Sequence, residues 1–131
     1  MTLVQKQYVY QEGDDVNSIY FLIKGMASFV LPSYENTCYV NINKGKHFGI
    51  MDIIGSIVTN NELDFSNWFQ RKELIHRQFT ILAVKDIECL TLSIQDLNRM
   101  KQEFFETYEL MFDQQLIRLK TIWKIKLKAM K

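Results

Sequence analysis

Cysteine, histidine and proline are scarce in this chain, and each scarcity excludes something. Of 131 residues, two are cysteine, two are histidine and one is proline. Cys38 and Cys89 stand apart, with no Cys-x-x-Cys pair and no histidine at ligand spacing, which argues against a zinc site or a redox motif. Both read as buried, reduced thiols. His47 and His76 fall in no metal-binding spacing. The sequence has no Gly-x-Ser-x-Gly, no glycine-rich phosphate loop and no His-Glu-x-x-His. The chain therefore reads as a non-enzyme with no metal and no resident cofactor. Long hydrophobic runs are also missing. The longest, Ile19 to Ile23, is far too short to span a bilayer, and no signal peptide opens the chain. The expectation is a soluble, cytoplasmic protein.

Charge of one sign is missing from the C-terminal end. The formal net charge is only +1, so no global field draws the protein to nucleic acid or membrane. After Asp113, however, there is no acid, while Arg118, Lys120, Lys124, Lys126, Lys128 and Lys131 follow. Two readings stand: a solvated helix face with a favourable dipole at its C-terminal end, or a contact with acidic lipid or an acidic partner.

What is present is apolar material in two kinds of pattern. Hydrophobic residues make up 47% and aromatics 13%, which argues against disorder, and the length suits one domain with its own core. Residues 7–10 and 19–30 are rich in Tyr, Val, Ile and Phe and are bounded by Gly13-Asp14-Asp15 and Pro32-Ser33; they read as strands joined by turns. The alternating run Cys38-Tyr39-Val40-Asn41-Ile42 reads as another. Phe79 to Val84 and Ile87 to Ser93 read as a final pair, turning near Lys85-Asp86. Ser93 then caps a helix, with Asp96 three residues on. From Leu97, apolar residues recur at helical spacing through Met100, Phe104, Tyr108, Met111, Phe112, Leu116, Leu119, Ile122, Trp123, Leu127 and Met130. This predicts a helical hairpin or one kinked helix, apolar on one side and mostly core. Strands first and helices after point to an α+β fold.

Three segments together carry a resemblance: Glu12-Gly13-Asp14, then Ile19-Tyr20-Phe21-Leu22-Ile23-Lys24-Gly25, then Gly45-Lys46-His47-Phe48-Gly49. They resemble the cyclic nucleotide-binding domain family, and the stretch Cys89 to Lys124 looks most like its cation-channel members. The resemblance implies an antiparallel, jelly-roll-like β-roll over about 5–94, a cassette helix starting near Gly49, and C-terminal helices over about 94–131. The family's N-terminal helix and first strand have no counterpart before Gln5. Arg77 also follows Phe48-Gly49 after a much longer segment than in the family. That insertion, roughly Gly55 to His76, holds Phe65, Trp68 and Phe69 on one face of a short helix.

The resemblance also implies a site. Backbone N–H groups of Gly49, Ile50 and Met51, at a helix N-terminus, would face a nucleotide phosphate. Arg77, in Arg77-Gln78-Phe79-Thr80-Ile81-Leu82-Ala83, matches the family's phosphate-binding arginine, whose fork of donors suits phosphate oxygens; the plain alternative is an exposed strand-end arginine. Gln78 falls where a Thr or Ser reads the ligand in many members. Arg118 and Ile122 match positions that cap the base in channel-type members. Against this, Ile50 stands where the family has its ribose-binding Glu, and Phe79 replaces a small Ala. Asp52 either substitutes for the missing ribose acceptor or serves as a helix-dipole partner.

Two functions follow as expectations. The first is a regulatory module that binds cAMP or cGMP, the helical end Leu116 to Met130 closing over the ligand and passing its state to a parent cation channel at the cytoplasmic side of a membrane. The second is a nucleotide-free homology domain that serves as a protein-interaction or assembly module, homo-oligomer formation included.

Overall fold

Alternating apolar residues bounded by glycine turns produce two four-stranded antiparallel sheets. The computed structural model describes residues 1–59 and 75–130. Among the described residues, eight strands run β1 (Thr2–Leu3), β2 (Tyr8–Tyr10), β3 (Ser18–Lys24), β4 (Met26–Leu31), β5 (Thr37–Asn43), β6 (His47–Phe48), β7 (Thr80–Ala83) and β8 (Ile87–Ser93). One sheet has the order β1-β8-β3-β6, the other β2-β7-β4-β5. Consecutive strands β3 and β4 lie in different sheets, as do β7 and β8, so the chain rolls from one layer to the other at both of these turns. Gly25 makes the first of these turns at φ +91°; a Cβ there would meet the Asp86 carbonyl oxygen at 2.1 Å, so the turns at 25 and 86 pack backbone to backbone. The expected β-roll is thus present. It begins at Thr2, ahead of the expected 5, because β1 pairs with Ile87 and Glu88 of β8.

Helix α1 (Ile50–Thr59) starts directly after Gly49, as the cassette reading requires. From Ile50 to Ile54, and at Ser56 and Ile57, every side chain is buried. A helix covered on all sides in this way is a core element. Ser93 accepts a hydrogen bond from the Asp96 N–H at 3.1 Å and caps α2 (Ile94–Glu103) as expected. Phe104, at φ −134° and ψ 56°, breaks the helix before α3 (Phe105–Ala129), so the helical end is two helices rather than one. Tyr108, Phe112, Leu119 and Ile122 of α3 enter the main core, and α3 packs on α1. The apolar stripe is not all core: Phe104, Leu127 and Met130 are exposed.

The two cysteines part company. Cys89 is buried, and burial pushes its thiol up from the ordinary value. Cys38, expected inside, is exposed: a register shift where β5 pairs with Phe29 and Val30 puts residue 38 out of step with the buried Ile42. The expected aromatic helix of Phe65, Trp68 and Phe69 lies outside the described residues. Among the described residues no helix is long and apolar enough to cross a membrane.

Candidate functional site

The site forms where the N-terminus of α1 meets the segment 75–79 under the Gly13-Asp14 turn. That turn places Arg77: the Arg77 N–H donates to the Asp14 carbonyl at 2.8 Å, and the Gly13 N–H donates to the Arg77 carbonyl at 2.9 Å. Its side chain then runs inward. Nη1 donates to the Gly49 carbonyl at 3.2 Å and to Asp52 Oδ2 at 3.0 Å, and Nη2 donates to the Ser18 carbonyl at 2.7 Å. The guanidinium stacks over the Tyr10 ring, 3.8 Å from its centroid. Arg77 is therefore not an exposed strand-end residue; the side chains of Arg77 and Asp52 are each only 1% exposed. Gly49 is left-handed at φ +108°, and a Cβ there would press on Arg77 Nη1 at 3.0 Å, so glycine is needed for the guanidinium to sit this close.

Asp52 is the other half of the site. Besides Arg77, it accepts the Gln78 N–H at 2.6 Å and the Phe79 N–H at 3.2 Å, both on Oδ1. Burial pushes its carboxyl above the ordinary value, while Arg77 and the Gln78 N–H pull the other way. Burial likewise pushes the Tyr10 hydroxyl well up, with Asp52 adding to the effect. Neither sequence reading of Asp52 named this contact: in the first turn of α1 the carboxylate is paired with the arginine. One signal pointed to it. Asp52 is the single charge in the apolar run Ile50-Met51-Asp52-Ile53-Ile54, and a lone charge inside a buried helix must find a partner. Tyr10 and Ser18 carried no such signal.

The structure brings Gly49, Ile50, Met51, Arg77 and Gln78 together. Ile50 and Met51 both point into the core, so a carboxylate at position 50 would have to be buried in this arrangement. Phe79 is fully buried and meets Phe29 edge to face at 5.4 Å. Ile122 enters the same core from α3. Arg118 is half-buried beside His47; burial, then the charges of Arg118 and Lys46, hold the His47 pKa below its ordinary value.

Gln78 links the site to α3. Its carbonyl accepts from Lys126 Nζ at 3.4 Å, and Lys126 Nζ also bonds Glu12 and lies 5.3 Å from the Phe79 ring centroid. On α1, Gly55 leaves room for two neighbours: a Cβ there would meet Gln78 Cγ at 2.8 Å and the Trp123 ring at 3.6 Å. Thus part of the basic C-terminal run is not a free solvated face. Lys126 joins α3 to the roll.

No family model and no curated protein matches the chain. Solved structures do. PfPKA-R, residues 141–441, in its cAMP-bound form aligns with a TM-score of 0.66 at 16% identity, covering 95% of this chain and 35% of that one. The EAL enzyme Bd1971 in its cAMP-bound form aligns at 0.61 with 17% identity, covering 99% of this chain and 30% of that one. A putative cyclic nucleotide-binding protein from Geobacter metallireducens aligns at 0.59 with 12% identity, covering 93% and 75%. The chain has the fold of cyclic nucleotide-binding domains, an antiparallel β-roll with helices. It spans about a third of the length of PfPKA-R and of Bd1971.

Proposed function

We propose that this chain is a regulatory module of the cyclic nucleotide-binding type, working within a longer protein and without nucleotide. The buried Arg77–Asp52 pair carries this reading: the arginine that would hold a phosphate is already matched by a carboxylate of the same domain. Ile50 and Phe79, both packed in the core, support it further, because neither offers a polar group to a sugar. In this reading the module acts through contacts, with α3 as the element that passes its state to a partner. The cation-channel likeness of Cys89 to Lys124 makes a channel assembly the first partner to test.

A second reading has an observation of its own. The start of α1 at Gly49, Ile50 and Met51 and the arginine Arg77 lie together as a nucleotide phosphate would require, and two of the similar structures are cAMP-bound forms. That reading is a module that binds cAMP or cGMP. Titration calorimetry of the purified chain with each nucleotide separates the two. The nucleotide-free module gives no saturable heat at millimolar ligand; a saturable isotherm that Arg77→Ala abolishes returns the protein to the nucleotide-binding reading.

A further inference from the structure

We propose that the Asp52 carboxylate is a built-in stand-in for the ligand phosphate, and that it holds α3 docked in the absence of any ligand. The inference rests on the reading of the Arg77 region as a phosphate-type cradle. Its chemistry is that of an anion site: a guanidinium fork, the N–H groups of Gln78 and Phe79, and the first turn of a helix. The occupant is an anion that the chain itself supplies. Both charges are withdrawn from water, so a free anion could enter only by displacing Asp52 from Arg77. One donor of the fork, Nε, is buried without a partner, so the carboxylate fills the fork incompletely.

The same carboxylate is joined to α3 through a short relay. Asp52 fixes the backbone of Gln78 and Phe79; the Gln78 carbonyl and Phe79 ring then receive Lys126, which Glu12 holds from the other side. An anion in this place therefore sets the position of the segment on which α3 rests.

The test removes the carboxylate and offers an anion back. Asp52→Ala should leave Arg77 without its anion and loosen α3. Inorganic phosphate, against chloride at equal ionic strength, should then raise the melting temperature of Asp52→Ala along a saturating curve and slow hydrogen exchange in 116–126. Wild type should not respond, since its cradle is occupied. Asp52→Leu combined with Arg77→Met should fold and should not respond, because it has neither the anion nor the fork. If Asp52→Ala does not fold, Asp52→Asn gives the same readout, keeping an acceptor for the two N–H groups while removing the charge. A phosphate response no larger than that of the Leu/Met variant overturns the proposal. So does a response that leaves exchange in α3 unchanged. cAMP tested alongside reports whether sugar and base add to the phosphate effect. Should wild type itself bind cAMP, the nucleotide-free function fails on its own; the stand-in role then still requires Asp52→Ala to bind about tenfold more tightly, the worth of one charge-assisted contact. Equal affinity overturns it.

Discussion

Asp52 Oδ2 lies 3.0 Å from Arg77 Nη1, between side chains that are almost wholly withdrawn from water. A residue in the first turn of α1 thus neutralises an arginine brought to it from the segment 75–79.

Breaking the pair from one side should be costly. Arg77→Ala strands a buried carboxylate and Asp52→Ala a buried guanidinium; each should lower unfolding stability by about 3–5 kcal/mol, while replacing both by apolar residues of similar volume should come close to neutral. Urea denaturation of the three variants measures this. Additive losses in the double variant would show that the two groups do not act as a pair.

Introducing the family's carboxylate at position 50 should destabilise the domain. Ile50 is fully buried among apolar neighbours, so Ile50→Glu places a charge with no partner in the core. The expected outcome is a melting temperature well below that of wild type, falling further as pH rises and the new carboxyl ionises. A variant as stable as wild type would mean that position 50 can turn outward.

Docking of α3 should depend on apolar burial far more than on its ion pair. Leu119 is fully buried, so Leu119→Ala should cost about 2–5 kcal/mol. The Lys126–Glu12 pair is partly exposed, so Lys126→Ala should cost no more than about 1 kcal/mol. Hydrogen exchange in 116–126 should rise much more in the first variant than in the second.

His47 should make the domain sensitive to mild acid. Its Nδ1 is buried without a hydrogen-bond partner, and its folded pKa lies below the ordinary 6.5. As pH falls through 6.5 the unfolded chain takes up the proton first, so stability is lost until the folded pKa is passed. His47→Gln should lose less stability than wild type between neutral pH and that lower value. Parallel pH profiles of the two melting temperatures would show that His47 is not the sensor.

The cysteines should differ in reactivity. Cys38 is exposed and Cys89 buried. A thiol reagent should modify Cys38 in the native protein and reach Cys89 only on unfolding, as mass spectrometry of the labelled peptides will show.

Much of the fold was legible in local pattern. Strand periodicity and the cap at Ser93 depend on neighbours a few residues away, and each emerged where the pattern placed it; the helix after Gly49 followed from the resemblance, and the break of 19–30 into two strands at Gly25 was not placed. Even the pairing of the site's parts was visible as a resemblance, since Gly49 and Arg77 belong to separate, recognisable segments. What those parts do to one another was not. Asp52 and Arg77 meet only because the roll folds the segment 75–79 back over the start of α1, and burial then forces two distant charges to satisfy each other. The inward turn of Ile50, the outward turn of Cys38 and the reach of Lys126 to Glu12 were likewise decided by which face each residue presents once the sheets have closed. Sequence by itself determined a cyclic nucleotide-type β-roll; only tertiary structure decided that its arginine is already occupied.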